Sequence, residues 1–288
     1  MDQPESTPTE RRFRWVYPFD LAVVLFAALA LAISRSRGVP IAWHVLYDPR
    51  YDVPLITVLG QFLGIFLLIR YTGLRRKGVP IAEAFARFRR AAFERLRDPA
   101  FYWEFGRIVL AVKMSIAFYS NLKVQIPRIN PRVYDAELWA LDRTLHLGLE
   151  PARLATVPLA SLLAPVIDLL YFVWYPIQLA FLVHFIFFDT RRRAWWFITC
   201  WILLWCFGIA LAMAVPSFGP CYTHPELYRS LMTPQAHRIQ AELLAGFHSA
   251  MTGIGEAAGV YEGIAAFPSL HVGMAVLWAL FTRKTRLF

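Results

Sequence analysis

The amino-acid sequence predicts an all-α fold: a polytopic integral membrane helical bundle of about six transmembrane helices, with interfacial helices on its outer face. Composition is the first ground. Hydrophobic residues make up 58% of the 288 and charged residues only 17%, against about 25% charged in soluble domains. Six apolar runs, spread along the whole chain, are the second. Most approach the roughly 20 residues that cross about 30 Å of hydrocarbon. The third is the lack of any ten-residue alternating pattern of barrel strands, since lipid cannot satisfy an open sheet edge. The ten Trp suit rings anchored at two membrane–water interfaces.

The elements follow in chain order. Residues 1–15 read as a polar, cytoplasmic basic arm that includes Arg11, Arg12 and Arg14. The first run, Val16 to Ile33, carries "ALA" at 30–32 and is open to reading as a signal peptide. A retained signal-anchor span fits better, because the later runs make the chain polytopic. The second run is Val53 to Ile69. A basic cytoplasmic loop follows it, so 16–100 forms a unit of two spans plus that loop. The third run, Phe101 to Tyr119, contains Arg107 and Lys113. The fourth, Leu162 to Phe188, contains Asp168, Pro176 and His184. The fifth is Trp195 to Val215 and the sixth Ile264 to Phe281.

Charge sets the orientation. The net charge of +10 would point to nucleic acid in a soluble protein. Here the basic residues lie between apolar runs: in the arm, in 70–97, in "DTRRRA" and in the tail "TRKTRLF". Positive-inside placement accounts for them. Both termini are therefore expected in the cytoplasm, with the bundle in the inner (plasma) membrane of a bacterium and no nucleic-acid partner. The loop 70–97 is expected to bind anionic headgroups. The segments 34–52, 120–161 and 216–263 then face outward. Within them, Val133, Leu138, Leu141 and Leu145 fall near one helical stripe. Leu227, Leu231, Ile239, Leu243 and Phe247 do likewise, interrupted at Pro234. Such amphipathic segments roof a bundle or lie among headgroups. Cys200, Cys206 and Cys221 give no disulfide framework and no zinc spacing.

Polar groups inside apolar surroundings carry the chemistry. "AAFPSLHVGMAV", 265–276, opens the sixth run. A helix N-terminus there offers free N–H groups and a positive dipole end to an anion. Ser269 adds a hydroxyl, and His271 can give a proton to a leaving oxygen. From spacing alone, a Ser-capped helix with a buried histidine explains the same residues. In "NLKVQIPRINPR", 121–132, Lys123, Arg128 and Arg132 are candidates to bind phosphate oxygens, or headgroup-facing charges. Lys113 is expected either to pair with Asp168 or to serve a substrate cavity. His184 reads as structural. His224, His237 and His248 have no metal spacing.

"FPSLH" resembles the second signature of the type 2 phosphatidic acid phosphatase superfamily. Its Leu form is similar to the branch containing fungal inositol phosphorylceramide synthase and bacterial relatives. "VYDAELWALDRTLHLGLEP" at 133–151 and "VPSFGPCYTHPELY" at 215–228 resemble further segments of that branch. The resemblance covers roughly 100–282 and marks 101–288 as a partial lipid-phosphatase-like membrane domain. It implies transfer or hydrolysis of a lipid phosphate or phosphoryl-headgroup at the extracytoplasmic face through a phosphohistidine. Phospholipid or another lipid phosphate is the implied partner; no metal or organic cofactor is implied. His271 takes the acid role, and Ser269, Lys123 and Arg128 the phosphate-binding one. The family's nucleophile lies on a downstream S-R-x5-H-x3-D stretch. Only seventeen residues follow His271, and none is His or Asp. This departure is expected to reflect truncation, or an inactive chain that binds lipid phosphate or a partner. "SRGVPIAWHVLYD", 36–48, offers His44 and Asp48 as an internal near-match. The charges Lys113 and Asp168 leave a transporter as a further option.

Overall fold

The computed structural model describes residues 15–38, 40–46, 97–229, 231, 233–252 and 263–283, with isolated positions between 78 and 93. Every regular element among them is helical. The long helices are α1 (Pro18–Arg37), α2 (Pro99–Val124), α3 (Asp135–Leu145), α4 (Pro158–Phe188), α5 (Arg191–Ala214), α6 (Pro234–Thr252) and α7 (Leu270–Thr282). The second apolar run, 53–69, lies outside the described residues.

Local chemistry fixes the helix ends. Pro18 opens α1, and the Asp20 carboxylate accepts the Tyr17 N–H at 2.6 Å. Gly38, at φ +63°, ends that helix. Asp98 caps α2 by accepting the Ala100 N–H at 2.9 Å. Thr190 caps α5, and Ser269 caps α7 through the Val272 N–H at 3.4 Å. The interruption expected at Pro234 is where α6 begins.

The α5 helix is the axis of the bundle. α1, α2, α4 and α7 all pack against it, and α1 and α2 also pack on each other. Phe19, Phe26, Phe118, Phe197, Trp201, Ile202 and Ile209 are fully buried there. The first apolar run is thus part of the core. Arg107 is neutralised at the edge of that core. It pairs with Asp20 at 2.5 Å and donates to the Trp15 carbonyl at 2.6 Å. At the same end, Arg191 bridges Asp98 and the buried Glu104, which also accepts the Trp195 indole N–H.

Two helices among the described residues are long and apolar enough to cross a membrane, α1 and α5. α4 has the length for a span, at 31 residues. Two other runs depart from the simple expectation for physical reasons. α2 carries Glu104, Arg107 and Lys113. α7 is short: the expected span from Ile264 begins only at Leu270 and gives 13 residues, about 20 Å of helix. Residues 264–269 are held in non-helical form by hydrogen bonds to another segment. The Lys113–Asp168 pair is not formed either. α2 and α4 meet where Phe101 and Phe105 pack on Phe187, at ring separations of 5.4 and 5.6 Å. Lys113 stands eight residues beyond Phe105 and Asp168 nineteen before Phe187. That is about 12 Å against about 29 Å along antiparallel axes.

Glycines let α5 and α7 approach closely. A Cβ on Gly208 would lie 2.6 Å from Leu270 Cδ2, and one on Gly273 would lie 3.0 Å from Leu204 Cδ1. Leu270, the residue before His271, is therefore seated in a notch made by Gly208. Gly208→Val is expected to expel Leu270 and lower stability by about 1–3 kcal/mol. Thermal unfolding in detergent, beside the surface change Phe207→Leu, checks this; an unchanged midpoint for Gly208→Val would contradict it.

Candidate functional site

Three segments distant in sequence meet at one end of the bundle. The first runs from Asn130 to Asp135, the second from Met213 to Gly219, and the third from Gly263 to His271. Asn130 donates through its side-chain amide to the carbonyls of Met213 and Ala214, at 3.1 and 3.2 Å. These are orphan acceptors at the end of α5. The Tyr134 N–H then donates to the Pro216 carbonyl at 2.8 Å. The Asp135 carboxylate accepts the consecutive N–H groups of Phe218 and Gly219, at 2.9 and 2.7 Å.

The middle segment holds the third in turn. The Ala266 N–H donates to the Ser217 carbonyl at 3.1 Å, and the Phe267 N–H to the Ser217 hydroxyl at 3.1 Å. Gly219 has φ +92°, and a Cβ there would lie 2.9 Å from the Ala266 Cβ. Only glycine satisfies both the torsion and the approach. Gly263 is equally close to α2, since a Cβ on it would lie 2.6 Å from the Lys123 carbonyl oxygen. The stretch leading to His271 is thus clasped between the end of α2 and residues 216–219.

His271 is the second residue of α7. Its ring stacks on Tyr171 at 4.8 Å and 20°, and lies 4.3 Å from Trp174 at 40°. Tyr171 and Trp174 are three apart on α4 and so share a face. The Nε2 atom of His271 is buried and has no hydrogen-bond partner among the described residues. Lys123 lies near enough for its charge to act on the imidazole; its Nζ also stands 6.0 Å from the Tyr119 ring centroid. Ser269, one residue outside the helix, uses its oxygen as a cap and keeps its hydroxyl proton to donate. The first bond within the turn, from the Gly273 N–H to the Ser269 carbonyl at 3.1 Å, leaves the N–H groups of Leu270 and His271 ahead of it.

Of the residues the sequence singled out, the structure brings together Lys123, Ser269 and His271. Arg128 is engaged elsewhere. Its Nε donates to the Ala250 carbonyl at 3.0 Å, and Nη1 to Gln125 at 3.4 Å. It ties α6 to the end of α2. Arg132 pairs with Glu137 on the surface at 2.6 Å. The side chain of His44, and Asp48, lie outside the described residues. His224 stacks on Trp139 at 4.0 Å and 11°, joining α3 to the short helices Pro220–Thr223 and Pro225–Tyr228. No group of three or more His, Cys, Asp or Glu among the described residues is arranged to hold a metal ion.

Two groups of the roof are displaced from their ordinary protonation ranges. Arg153, with help from Arg143, holds the Glu150 carboxyl below its usual range. Burial pushes the Tyr222 phenol up to about 12, so it remains a donor through the neutral range; it lies 3.4 Å from the Gln240 carbonyl.

The decisive observation is where a known family falls on this assembly. The model of the PAP2 superfamily matches residues 136–288, more than half of the chain, from the start of α3 through His271. The chain belongs to the PAP2 superfamily. No curated protein and no solved structure matches it. PAP2 proteins are phosphatases and phosphotransferases that act on lipid phosphates. In this PAP2 chain, the sequence pointed to His271, Ser269 and Lys123. It assigned no role to Asp135, Ser217 or Gly219, although all three stand within the quoted stretches. Tyr171 and Trp174 had only an i, i+3 spacing to mark them.

Gly219→Ala is expected to strain φ and push Ala266 away, costing about 1–3 kcal/mol. A lower unfolding midpoint in detergent checks this. Equal stability would mean the three segments are not clasped as described.

Proposed function

We propose that this PAP2 chain is a membrane lipid phosphotransferase or phosphatase resembling inositol phosphorylceramide synthase. In this reading it works at the extracytoplasmic face of a bacterial inner membrane. The six apolar runs span the bilayer, both termini are cytoplasmic, and α3 and α6 form the outer roof. Membrane lipids surround the bundle, and a lipid phosphate is the substrate. The exposed leucines of α4, Leu159, Leu162, Leu169 and Leu170, support a lipid-facing surface.

One observation carries the assignment of the site: the Nε2 of His271 is buried at a helix N-terminus without a partner among the described residues, with Lys123 beside it. The Lys123 ammonium and the free N–H groups of Leu270 and His271 offset phosphate charge. Ser269 donates its hydroxyl to a non-bridging oxygen. His271, protonated, gives its proton to the leaving alkoxide oxygen as the P–O bond breaks. Tyr171 and Trp174 hold the ring against two aromatic faces.

In the family pattern a second histidine attacks phosphorus, so that a P–N bond forms as the P–O bond breaks, and the P–N bond is then cleaved by an acceptor hydroxyl or water. No other histidine among the described residues packs on His271. That observation favours a second reading, a protein that binds lipid phosphate without turning it over.

Phosphate release and headgroup transfer by the purified protein, beside His271→Ala and Lys123→Ala, test the proposal. His271→Ala is expected to lower turnover by about 10²–10⁴-fold, and Lys123→Ala to weaken use of lipid phosphate with a smaller effect on the maximal rate. Turnover that survives His271→Ala would contradict the assignment. Silence of the parent, with binding lost in both variants, would establish the binding reading.

A further inference from the structure

We propose that Asp135 and Ser217 are positioning residues for His271: the roof sets the place of the imidazole without touching the phosphate. This rests on the reading of His271 as the phosphate-handling histidine.

The Nε2 of His271 has no hydrogen-bond partner among the described residues, and the contacts of its ring with Tyr171 and Trp174 are faces rather than directional bonds. Stacked faces resist tilting but tolerate sliding. The ring's place is therefore governed by where the first turn of α7 begins. That start is fixed by residues 266 and 267, whose N–H groups both end on Ser217, one on its carbonyl and one on its hydroxyl. Only Pro268, Ser269 and Leu270 separate this anchor from His271, and Leu270 is seated against Gly208.

Ser217 is itself held by the residues that follow it. Phe218 and Gly219 give both of their N–H groups to Asp135, one to each carboxylate oxygen. Each is a charge-assisted bond and stronger than a neutral one. Because two consecutive amides are taken by one carboxylate, the plane of that turn is fixed as well as its distance. Asp135 already spends an oxygen on each amide, which places it in support of the loop rather than in proton transfer. The line of force runs from Asp135 through the Phe218–Gly219 turn to Ser217, then Phe267, then His271. Glu137, two residues along the same helix, pairs with the exposed Arg132 and touches none of this.

The test uses the full chain in detergent with isotope-labelled histidine. The His271 ring signal is identified by its loss in His271→Ala. Asp135→Asn presents an amide N–H, or a single carbonyl, where two acceptors are needed. It is expected to shift the His271 signal and its titration, and to weaken binding of a short-chain phosphatidic acid by about tenfold. Ser217→Ala keeps the carbonyl bond and is expected to do the same more weakly. Glu137→Gln is expected to leave both readouts at the parent values. If Asp135→Asn does not fold, Ser217→Ala carries the test alone. Should Asp135→Asn and Ser217→Ala both leave the His271 signal and the binding unchanged, the inference is overturned. If His271→Ala binds the lipid as well as the parent does, the phosphate reading fails. The His271 signal then decides alone: a shift in Asp135→Asn upholds the coupling, and no shift refutes it.

Discussion

The Asp135 carboxylate, accepting the amides of Phe218 and Gly219, is the interaction on which the candidate site depends. It fixes the turn between two neighbouring segments, which Asn130 and Tyr134 hold on one side and Ser217 on the other. Segment 130–135 lies along 213–219, and 213–219 lies along 263–267. Remove the middle link and α7 loses the register of its first turn. Gly219 makes the link possible, because its positive φ turns the amide toward Asp135 while its missing side chain admits Ala266.

Below this clasp the bundle supplies rigidity. α5 gathers α1, α2, α4 and α7 around Trp201, Phe197 and Ile209, and glycines bring α5 and α7 into close packing. Charges at the far end are neutralised in place: Asp20 by Arg107, and Glu104 by Arg191. Each such pair costs desolvation, and removing one partner would strand a charge in an apolar setting. Toward the opposite end the buried Nε2 of His271 has no hydrogen-bond partner among the described residues, and Lys123 stands beside it.

Much of this was legible in the sequence, for reasons that can be named. Continuous apolar runs located α1, α2, α4 and α5, and apolar stripes α3 and α6. Pro234 broke the roof where expected. The sixth run was begun too early, at Ile264, since hydrophobicity alone cannot tell that the amides of residues 266 and 267 bond to Ser217 rather than to a helix. Lys113 and Asp168 looked like partners because each is a charge in the outer half of its apolar run. Pairing, however, requires equal height, and height depends on which turns of α2 and α4 meet. Arg128 shared the basic stretch of Lys123 but faces α6, a difference of helix face that spacing past Pro127 does not reveal. Asp135 was visible as a residue of a motif, yet its bonds to Phe218 and Gly219 span more than eighty positions and leave no local trace.

The central claim is that an anionic phosphate group comes to rest against His271 and Lys123. The most direct measurement follows the labelled histidine signals of the full chain while a short-chain phosphatidic acid is added. The His271 signal is expected to move saturably, the half-buried His224 and the exposed His237 to stay still, and the response to be lost in Lys123→Ala. A lipid that binds while His271 stays still, or that moves it equally in Lys123→Ala, would contradict the account.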